Sequence, residues 1–140
     1  MSEPKPKHLV IDTSVYINYT RHQKLYRLAD TILTYDLVIY ISPDLIDELE
    51  RNIPLTSAVE LPQFVYEGYL HTIKSVCVFF EPVTQYAGSP DQKDNFLWDL
   101  ALQTNSEIIV TKEKALLDFT NSTIPVHDIK WFKETYPVSL

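Results

Sequence analysis

The sequence predicts a single α/β domain built on a central parallel sheet. Short apolar runs alternate with segments of helical periodicity along the whole chain, and this alternation is typical of parallel sheets covered by helices. Residues 9–11 are all apolar, as expected for a strand that is buried on both faces. The 140 residues suit one domain with a substantial core. We therefore expect a three-layer α/β/α domain over residues 1–140, with residues 1–7 as a polar N-terminal tail.

The first half of the chain supplies two helices and a second strand. A helix is predicted over residues 15–34, because the apolar residues in its second half form one stripe at helical spacing. The apolar, β-branched run 37–41 predicts the second strand. Ser42 followed by Pro43 is a favourable helix start, so another helix is expected from there to about Pro54.

The second half continues the alternation. Residues 60–75 predict a helix and residues 76–80 a third strand. The sequence Ser89-Pro90-Asp91-Gln92 has the pattern of a capping box, and it predicts a helix that begins at Ser89 and runs to residues 104–105. A fourth strand, a fifth strand and a closing helix are expected at residues 108–111, 123–126 and 131–136.

Composition excludes several classes of function. Two glycines leave no glycine-rich phosphate loop, and the single cysteine, Cys77, rules out an internal disulfide and a cysteine zinc cage. Neither a signal peptide nor an apolar run of about 20 residues is visible, so a soluble cytoplasmic protein without membrane contact is expected. The net charge of −7 argues against binding duplex DNA through a broad basic surface. The net charge does not exclude an enzyme that binds nucleic acid through metal ions and a local basic patch.

Asp12 is the first candidate site residue, because it directly follows the predicted strand 9–11. Open α/β sheets place their ligands at the carboxyl ends of their strands. An N-cap of the following helix is the alternative, since Asp12, Thr13 and Ser14 are all good capping residues, and on this motif alone it is the better explanation. Other acids downstream change that balance.

Asp94 is the second candidate, because it shares one helical face with Leu97 and Ala101. A carboxylate on the apolar face of a helix is costly unless it is paired or binds a metal. An ion pair with Lys93 or Lys112 is the alternative. The neighbouring acids can be explained without a functional site. The helix dipole accounts for Asp91, and we expect Asp99 to be solvated.

Two glutamates extend this cluster. Glu48 is expected to point inward from its helix, and Glu113 follows the strand 108–111 at its carboxyl end. Two carboxylates about 4 Å apart repel by about 4 kcal/mol at an effective dielectric near 20, so a cluster of them calls for a cation. Oxygen ligands without histidine suit Mg²⁺ or Mn²⁺.

The chain resembles the PIN-domain nucleases, and in particular the toxins of toxin–antitoxin pairs (VapC-like). The resemblance covers about residues 8–133 and rests on four blocks in order, LVIDTS, SPDLIDELE, SPDQKDNFLWDLAL and SEIIVTKEKALLDF. It implies a sheet of order 3-2-1-4-5 and a metal-dependent endoribonuclease. It also assigns the site residues: Asp12, Glu48, Asp94 and Glu113 as catalytic, Asp12, Asp94 and Glu113 as ligands of one or two Mg²⁺ or Mn²⁺ ions, and Thr13, Ser14 and Thr111 in support.

One block departs from the family pattern. The family usually has Thr-Gly-Asp after the fourth strand, whereas this chain has Thr111-Lys112-Glu113. The longer glutamate could act through water or not at all, so a catalytically silent PIN-like binding module is the main rival. A phosphatase or receiver-type domain would need further acids next to Asp12, where Ile11 and Ser14 stand instead.

The resemblance also implies partners. These are single-stranded or structured RNA as substrate and a small antitoxin protein that fills the acidic groove, with a homodimer as one option for the oligomeric state. Arg21, Lys24 and Arg27 could contact phosphate, although the solvated face of a helix is the commoner explanation for such residues.

Overall fold

The computed structural model describes residues 4–56 and 59–138, so residues 1–3 of the predicted N-terminal tail lie outside the described part. Five strands form one sheet: β1 (His8–Ile11), β2 (Val38–Ile41), β3 (Val78–Phe79), β4 (Ile108–Val110) and β5 (Val126–His127). The helices are α1 (Thr13–Arg21), α2 (Leu25–Thr34), α3 (Pro43–Thr56), α4 (Gln63–Val76), α5 (Asn95–Gln103), α6 (Lys114–Leu117) and α7 (Ile129–Thr135).

The sheet confirms the predicted order. The strands run β3-β2-β1-β4-β5, and every pair is parallel. The chain moves outward from β1 to β3 and then returns to the other side of β1, so the strand order reverses between β1 and β4. In doubly wound sheets this reversal opens a crevice at the carboxyl ends of the two strands. Ile11 pairs with Val110 there, which puts the residues after β1 and β4 side by side.

The core surrounds the two central strands. Residues 9–11 of β1 and Ile109 and Val110 of β4 have no exposed surface, as a strand covered on both faces requires. Helix α1 packs against α3, α2 packs against α4, and α5 contacts β1, β2 and β4. Across residues 4–56 and 59–138, no helix has the length and apolar character needed to span a bilayer.

The prediction of one helix over residues 15–34 is wrong, because the chain breaks it between α1 and α2. Gln23 adopts a left-handed conformation with φ 55°, and Lys24 N donates to Tyr19 O at 2.8 Å. This is the Schellman end of a helix, in which glycine is the usual left-handed residue. The glycine-poor chain uses Asp36 and Asn105 in the same conformation after α2 and α5. Without a glycine, nothing in the apolar pattern marks the break.

The predicted capping box at Ser89 is also wrong. Residues 92–94 form one 3₁₀ turn before α5 begins at Asn95. The Asp91 carboxylate accepts from Lys93 N at 3.1 Å, and the Ser89 hydroxyl donates to the Asp91 carbonyl, so Asp91 caps the turn. The short helix α6 was not predicted, and β5 begins three residues later than expected.

Asp99 is buried rather than solvated as predicted, with 4% of its surface exposed. Its Oδ1 accepts from the backbone N–H of Gln85 at 3.0 Å and of Tyr86 at 2.8 Å. The ring of Tyr86 stacks on Trp98, with 5.6 Å between centroids. Asp99 therefore fixes the segment that leads from β3 to α5, and its function is structural.

We expect Asp99→Ala to lower the free energy of unfolding by about 3 kcal/mol, because two backbone N–H groups lose a charged acceptor. Asp99→Asn should cost less, since the amide oxygen can still accept from both groups. Urea denaturation measures the change, and Asp30→Ala, at an exposed position of α2, should shift stability by no more than about 0.5 kcal/mol. Equal losses in Asp99→Ala and Asp30→Ala would contradict this function of Asp99.

Candidate active site

Asp12 lies at the crevice between β1 and β4, with 2% of its surface exposed. Its backbone N–H continues the β1–β4 pairing by donating to Val110 O at 2.8 Å. Its Oδ2 accepts from the Thr111 hydroxyl at 2.8 Å and from the Ser14 hydroxyl at 2.9 Å. Asp12 is the N-cap residue of α1, as the capping alternative expects, but its carboxylate is held by the Thr111 and Ser14 hydroxyls and makes no side-chain capping hydrogen bond, so capping alone does not account for it. Its partners come from the end of β4 and from the first turn of α1.

The two hydroxyls that hold Asp12 are themselves held by backbone. Lys112 N donates to Ser14 Oγ at 3.0 Å, and Glu113 N donates to Thr111 Oγ1 at 3.0 Å. A hydroxyl that receives one hydrogen bond directs its own proton elsewhere, here to the carboxylate of Asp12. At the departure from the family pattern, the backbone of Lys112 thus supports the site while its side chain is exposed.

Glu48 reaches the same region from α3. It is half-buried, and its Oε1 accepts from the Thr13 hydroxyl at 3.3 Å. Thr13 and Ser14 are therefore not interchangeable, because Thr13 contacts Glu48 and Ser14 contacts Asp12. The predicted inward direction of Glu48 is consistent with this contact.

Asp94 is buried at the start of α5, with 3% exposed, as its helical phase predicts. The ion-pair alternative is not found: within the described ranges Asp94 has no salt bridge, since Lys93 lies 3.7 Å from Asp91 instead. Lys112, the other candidate, is exposed. The buried carboxylate of Asp94 thus lacks the basic partner that usually accompanies such a group.

The pKa of each of the four acids is raised above its ordinary value. Burial raises the pKa of Asp12 above its ordinary value, and the hydrogen bonds from Thr111 and Ser14 only oppose that shift. Burial and then the charge of Asp12 raise the pKa of both Glu48 and Asp94. The shared direction and causes of these shifts place the carboxylates in one electrostatic environment. They come from different parts of the chain: Asp12 follows β1, Glu48 lies in α3, Asp94 precedes α5 and Glu113 precedes α6.

The pKa of Glu113 is raised by burial and by its acidic neighbours. Burial, the charges of Asp12 and Asp94 and a hydrogen bond with Asp94 raise the pKa of Glu113 to about 7. The same hydrogen bond lowers the pKa of Asp94, so the protonation of one carboxyl group depends on that of the other. Two ionised carboxylates cannot bond in this way, and one shared proton relieves their repulsion.

No three histidine, cysteine or acidic side chains among residues 4–56 and 59–138 are gathered into a group that could hold a metal ion. The chemistry of the donor set nevertheless fits a hard divalent cation. The donors are carboxylates and hydroxyls, the ligand atoms that Mg²⁺ and Mn²⁺ prefer, and no described lysine or arginine neutralises them by a salt bridge.

A groove of about 560 Å³ opens beside the acids. Glu48 and Glu113 line it, and it is also bordered by two cations, Arg51 and Lys93. Arg51 was not predicted as a site residue, and Lys93 was considered only as an ion-pair partner of Asp94. Arg51 stands three residues after Glu48 on α3, a spacing that puts the two on one helical face and could have revealed it. A groove that has carboxylates on its floor and cations on its rim can bind both a metal ion and an anionic polymer.

Solved structures share this fold. One is a domain of a functionally unknown protein from Methanocaldococcus jannaschii DSM 2661, with 15% identity, a TM-score of 0.56 and coverage of 88% of this chain and 91% of that one. Another is the PIN domain endonuclease Utp24, with 21% identity, a TM-score of 0.51 and coverage of 89% and 86%. At these identities the likeness concerns the fold. No curated protein sequence matches the chain.

The family model of the PIN domain matches residues 8–115. This range contains Asp12, Glu48, Asp94 and Glu113, together with the β1–β4 crevice at which they meet. The family match and the sheet order of 3-2-1-4-5 agree. The chain belongs to the PIN-domain family.

Proposed function

We propose that this chain is a metal-dependent endoribonuclease that cleaves phosphodiester bonds in single-stranded or structured RNA. PIN domains are generally nucleases, and the observation that supports the activity here is the uncompensated acid group. Asp12 and Asp94 are almost fully buried without a basic partner among the described residues. Glu48 and Glu113 stand between them and the groove.

Asp12, Asp94 and Glu113 would hold one or two Mg²⁺ or Mn²⁺ ions. When bound, such an ion lowers the pKa of water and neutralises charge on the scissile phosphate. The donor set suits this task because it contains only oxygen ligands.

The chain's own residues orient the site. Thr111 and Ser14 hold Oδ2 of Asp12, and Thr13 holds Oε1 of Glu48, so each carboxylate has a fixed direction before a ligand arrives. Positioning of this kind from the surrounding residues commonly accounts for a factor of about 10 to 100 in metal affinity or activity. Arg51 and Lys93 would bind the phosphates of RNA that enters the groove.

The biological setting that we propose is the cytoplasm, with the chain as the toxin of a type II toxin–antitoxin pair. The motif order resembles that branch, and a groove with acidic and basic groups offers a small antitoxin protein many polar contacts. A homodimer is compatible with this setting. A short overlapping upstream reading frame for a DNA-binding protein would support the assignment.

A catalytically silent PIN-like binding module is the second candidate. Two observations favour it: the part of the chain that the structure describes contains no preformed metal-binding group, and Lys112-Glu113 replaces the usual Gly-Asp. Lys112 is exposed and forms no salt bridge with a described acid, so it does not supply an internal positive charge to the site.

Asp12→Asn should reduce cleavage of single-stranded RNA at least about a hundredfold, because a central metal ligand loses its charge. The fold should persist, since the asparagine oxygen can still accept from the Thr111 and Ser14 hydroxyls. Cleavage in Mn²⁺ and circular dichroism are measured together. Cleavage at the wild-type rate would remove Asp12 from the mechanism.

Asp94→Asn should lose most of the activity, whereas Asp91→Asn should lose little. Asp94 is buried beside the site, while Asp91 is exposed and its carboxylate contacts Lys93. The two variants remove the same charge three residues apart, so Asp91→Asn is the matched control. Equal losses would show that proximity of charge, rather than the inward direction of Asp94, matters.

Mg²⁺ or Mn²⁺ should raise the melting temperature by roughly 3–5 °C at tenfold the dissociation constant, where binding adds about 1.4 kcal/mol. NaCl of equal ionic strength should not. The Asp12→Asn, Asp94→Asn double variant should lose this response and should be more heat-stable than wild type without metal, because two repelling charges are gone. A wild-type melting curve that ignores Mn²⁺ would support the silent module.

A further inference from the structure

A second cavity, of about 410 Å³, lies between the end of α1, the start of α2 and α7. Asn18, Tyr19 and His22 of the α1 end, Lys24 and Arg27 at the α2 start and Lys133 of α7 are among the residues that line it. No aspartate or glutamate is among its described lining residues. The cavity therefore presents hydrogen-bond donors and positive charge, and we call it the basic pocket.

The charge of the basic pocket is unusual for this chain. The sequence has a net charge of −7 and only 12 lysines and arginines, yet Lys24, Arg27 and Lys133 meet in this one cavity. None of the three forms a salt bridge with a described residue. Like charges that are gathered without a counterion repel one another, so the arrangement favours an anion.

Several donors in the pocket lack an intramolecular acceptor. Arg27 Nε is buried and has no hydrogen-bond partner among the described residues. The Tyr19 hydroxyl makes no described side-chain hydrogen bond, and Lys133 Nζ lies 5.3 Å from the centre of the Tyr19 ring. Buried polar groups are normally paired, by protein, water or ligand. The packing around the basic pocket therefore leaves the Arg27 Nε and the Tyr19 hydroxyl without a side-chain partner among the described residues.

The N-terminus of α2 adds to the positive electrostatic potential of the basic pocket. This helix has ten residues, Lys24 precedes it, and no side chain caps its first N–H groups. The positive end of the helix dipole then faces the region of Lys24 and Arg27, as at many phosphate sites.

We propose that the basic pocket binds a phosphate monoester. Three permanent cations exceed what a single carboxylate needs, and they match a dianion, for which the planar fork of arginine is well suited. The volume leaves room for a group attached to the phosphate, such as a nucleoside, because it lies in the range of small-molecule sites. A free nucleotide and the phosphorylated end of an oligonucleotide carry the same chemistry.

This pocket is separate from the acidic site. Ser14 contacts Asp12 at the start of α1, and His22 lies eight residues later, which is about 12 Å along a helix. The proposal therefore stands or falls independently of the nuclease activity.

Calorimetry or a thermal shift assay with EDTA, at constant ionic strength, tests it with inorganic phosphate and AMP. Both should bind saturably to wild type. Arg27→Gln and Lys133→Gln should weaken binding about tenfold or more, because each removes a charged contact. Arg21→Gln, at the exposed end of α1, and Lys130→Gln, on the exposed face of α7, remove the same charge outside the pocket and should change affinity less than about twofold.

Two oligonucleotides of one sequence, with a 5′-phosphate and a 5′-hydroxyl, distinguish the sources. Preference for the 5′-phosphate would identify a nucleic-acid end, whereas binding of AMP but of neither oligonucleotide would identify a free nucleotide. The proposal is overturned if phosphate and AMP do not bind, or if the control variants lose as much affinity as Lys133→Gln. Lys133 is exposed, so Lys133→Gln decides the test even if Arg27→Gln fails to fold.

Discussion

The pairing of β1 with β4 is the constraint on which the site depends. Ile11 lies opposite Val110, and the next residue of each strand supplies one partner of the hydrogen bond from Thr111 to Asp12. Both strands are buried, so their register cannot slip without moving apolar side chains from the core. A carboxylate that water would otherwise solvate is thereby held at the point where the strand order reverses, and the other acids are arranged around it.

Burial raises the pKa of Asp12 and Asp94, and burial together with the charges of these two acids raises the pKa of Glu113 to about 7. A proton shared between Asp94 and Glu113 relieves the repulsion between them. Positive charge could have solved the same problem more simply. Instead Lys93 pairs with Asp91, and Arg51 stands at the groove. The cations of this region thus lie at the groove, and none of them forms a salt bridge with the buried acids among the described residues.

Local patterns were sufficient to predict the alternation of strands and helices, the position of Asp12 after its strand and the inward direction of Asp94, because apolar runs and helical phase are visible in a single sequence. The sheet order was implied by the family resemblance and not by these patterns. The break at Gln23 escaped prediction because a non-glycine residue takes the left-handed conformation there. The burial of Asp99 escaped it for another reason: its partners, Gln85 and Tyr86, are 13 and 14 residues away and are defined only by the tertiary fold.

The same limit applies more strongly to the basic pocket. Lys24 and Lys133 lie more than a hundred residues apart. The interpretation of Arg21, Lys24 and Arg27 as a solvated helix face agrees with the exposure of Arg21 and Lys24, whereas Arg27 is half-buried, and Lys24 and Arg27 also line the basic pocket. Helix α7 forms one wall of the basic pocket and adds a third cation, Lys133, to Lys24 and Arg27. Helix α1 therefore connects two opposite electrostatic environments. The hydroxyls of Thr13 and Ser14 at its start contact acids, and Tyr19 and His22 at its end line the basic pocket.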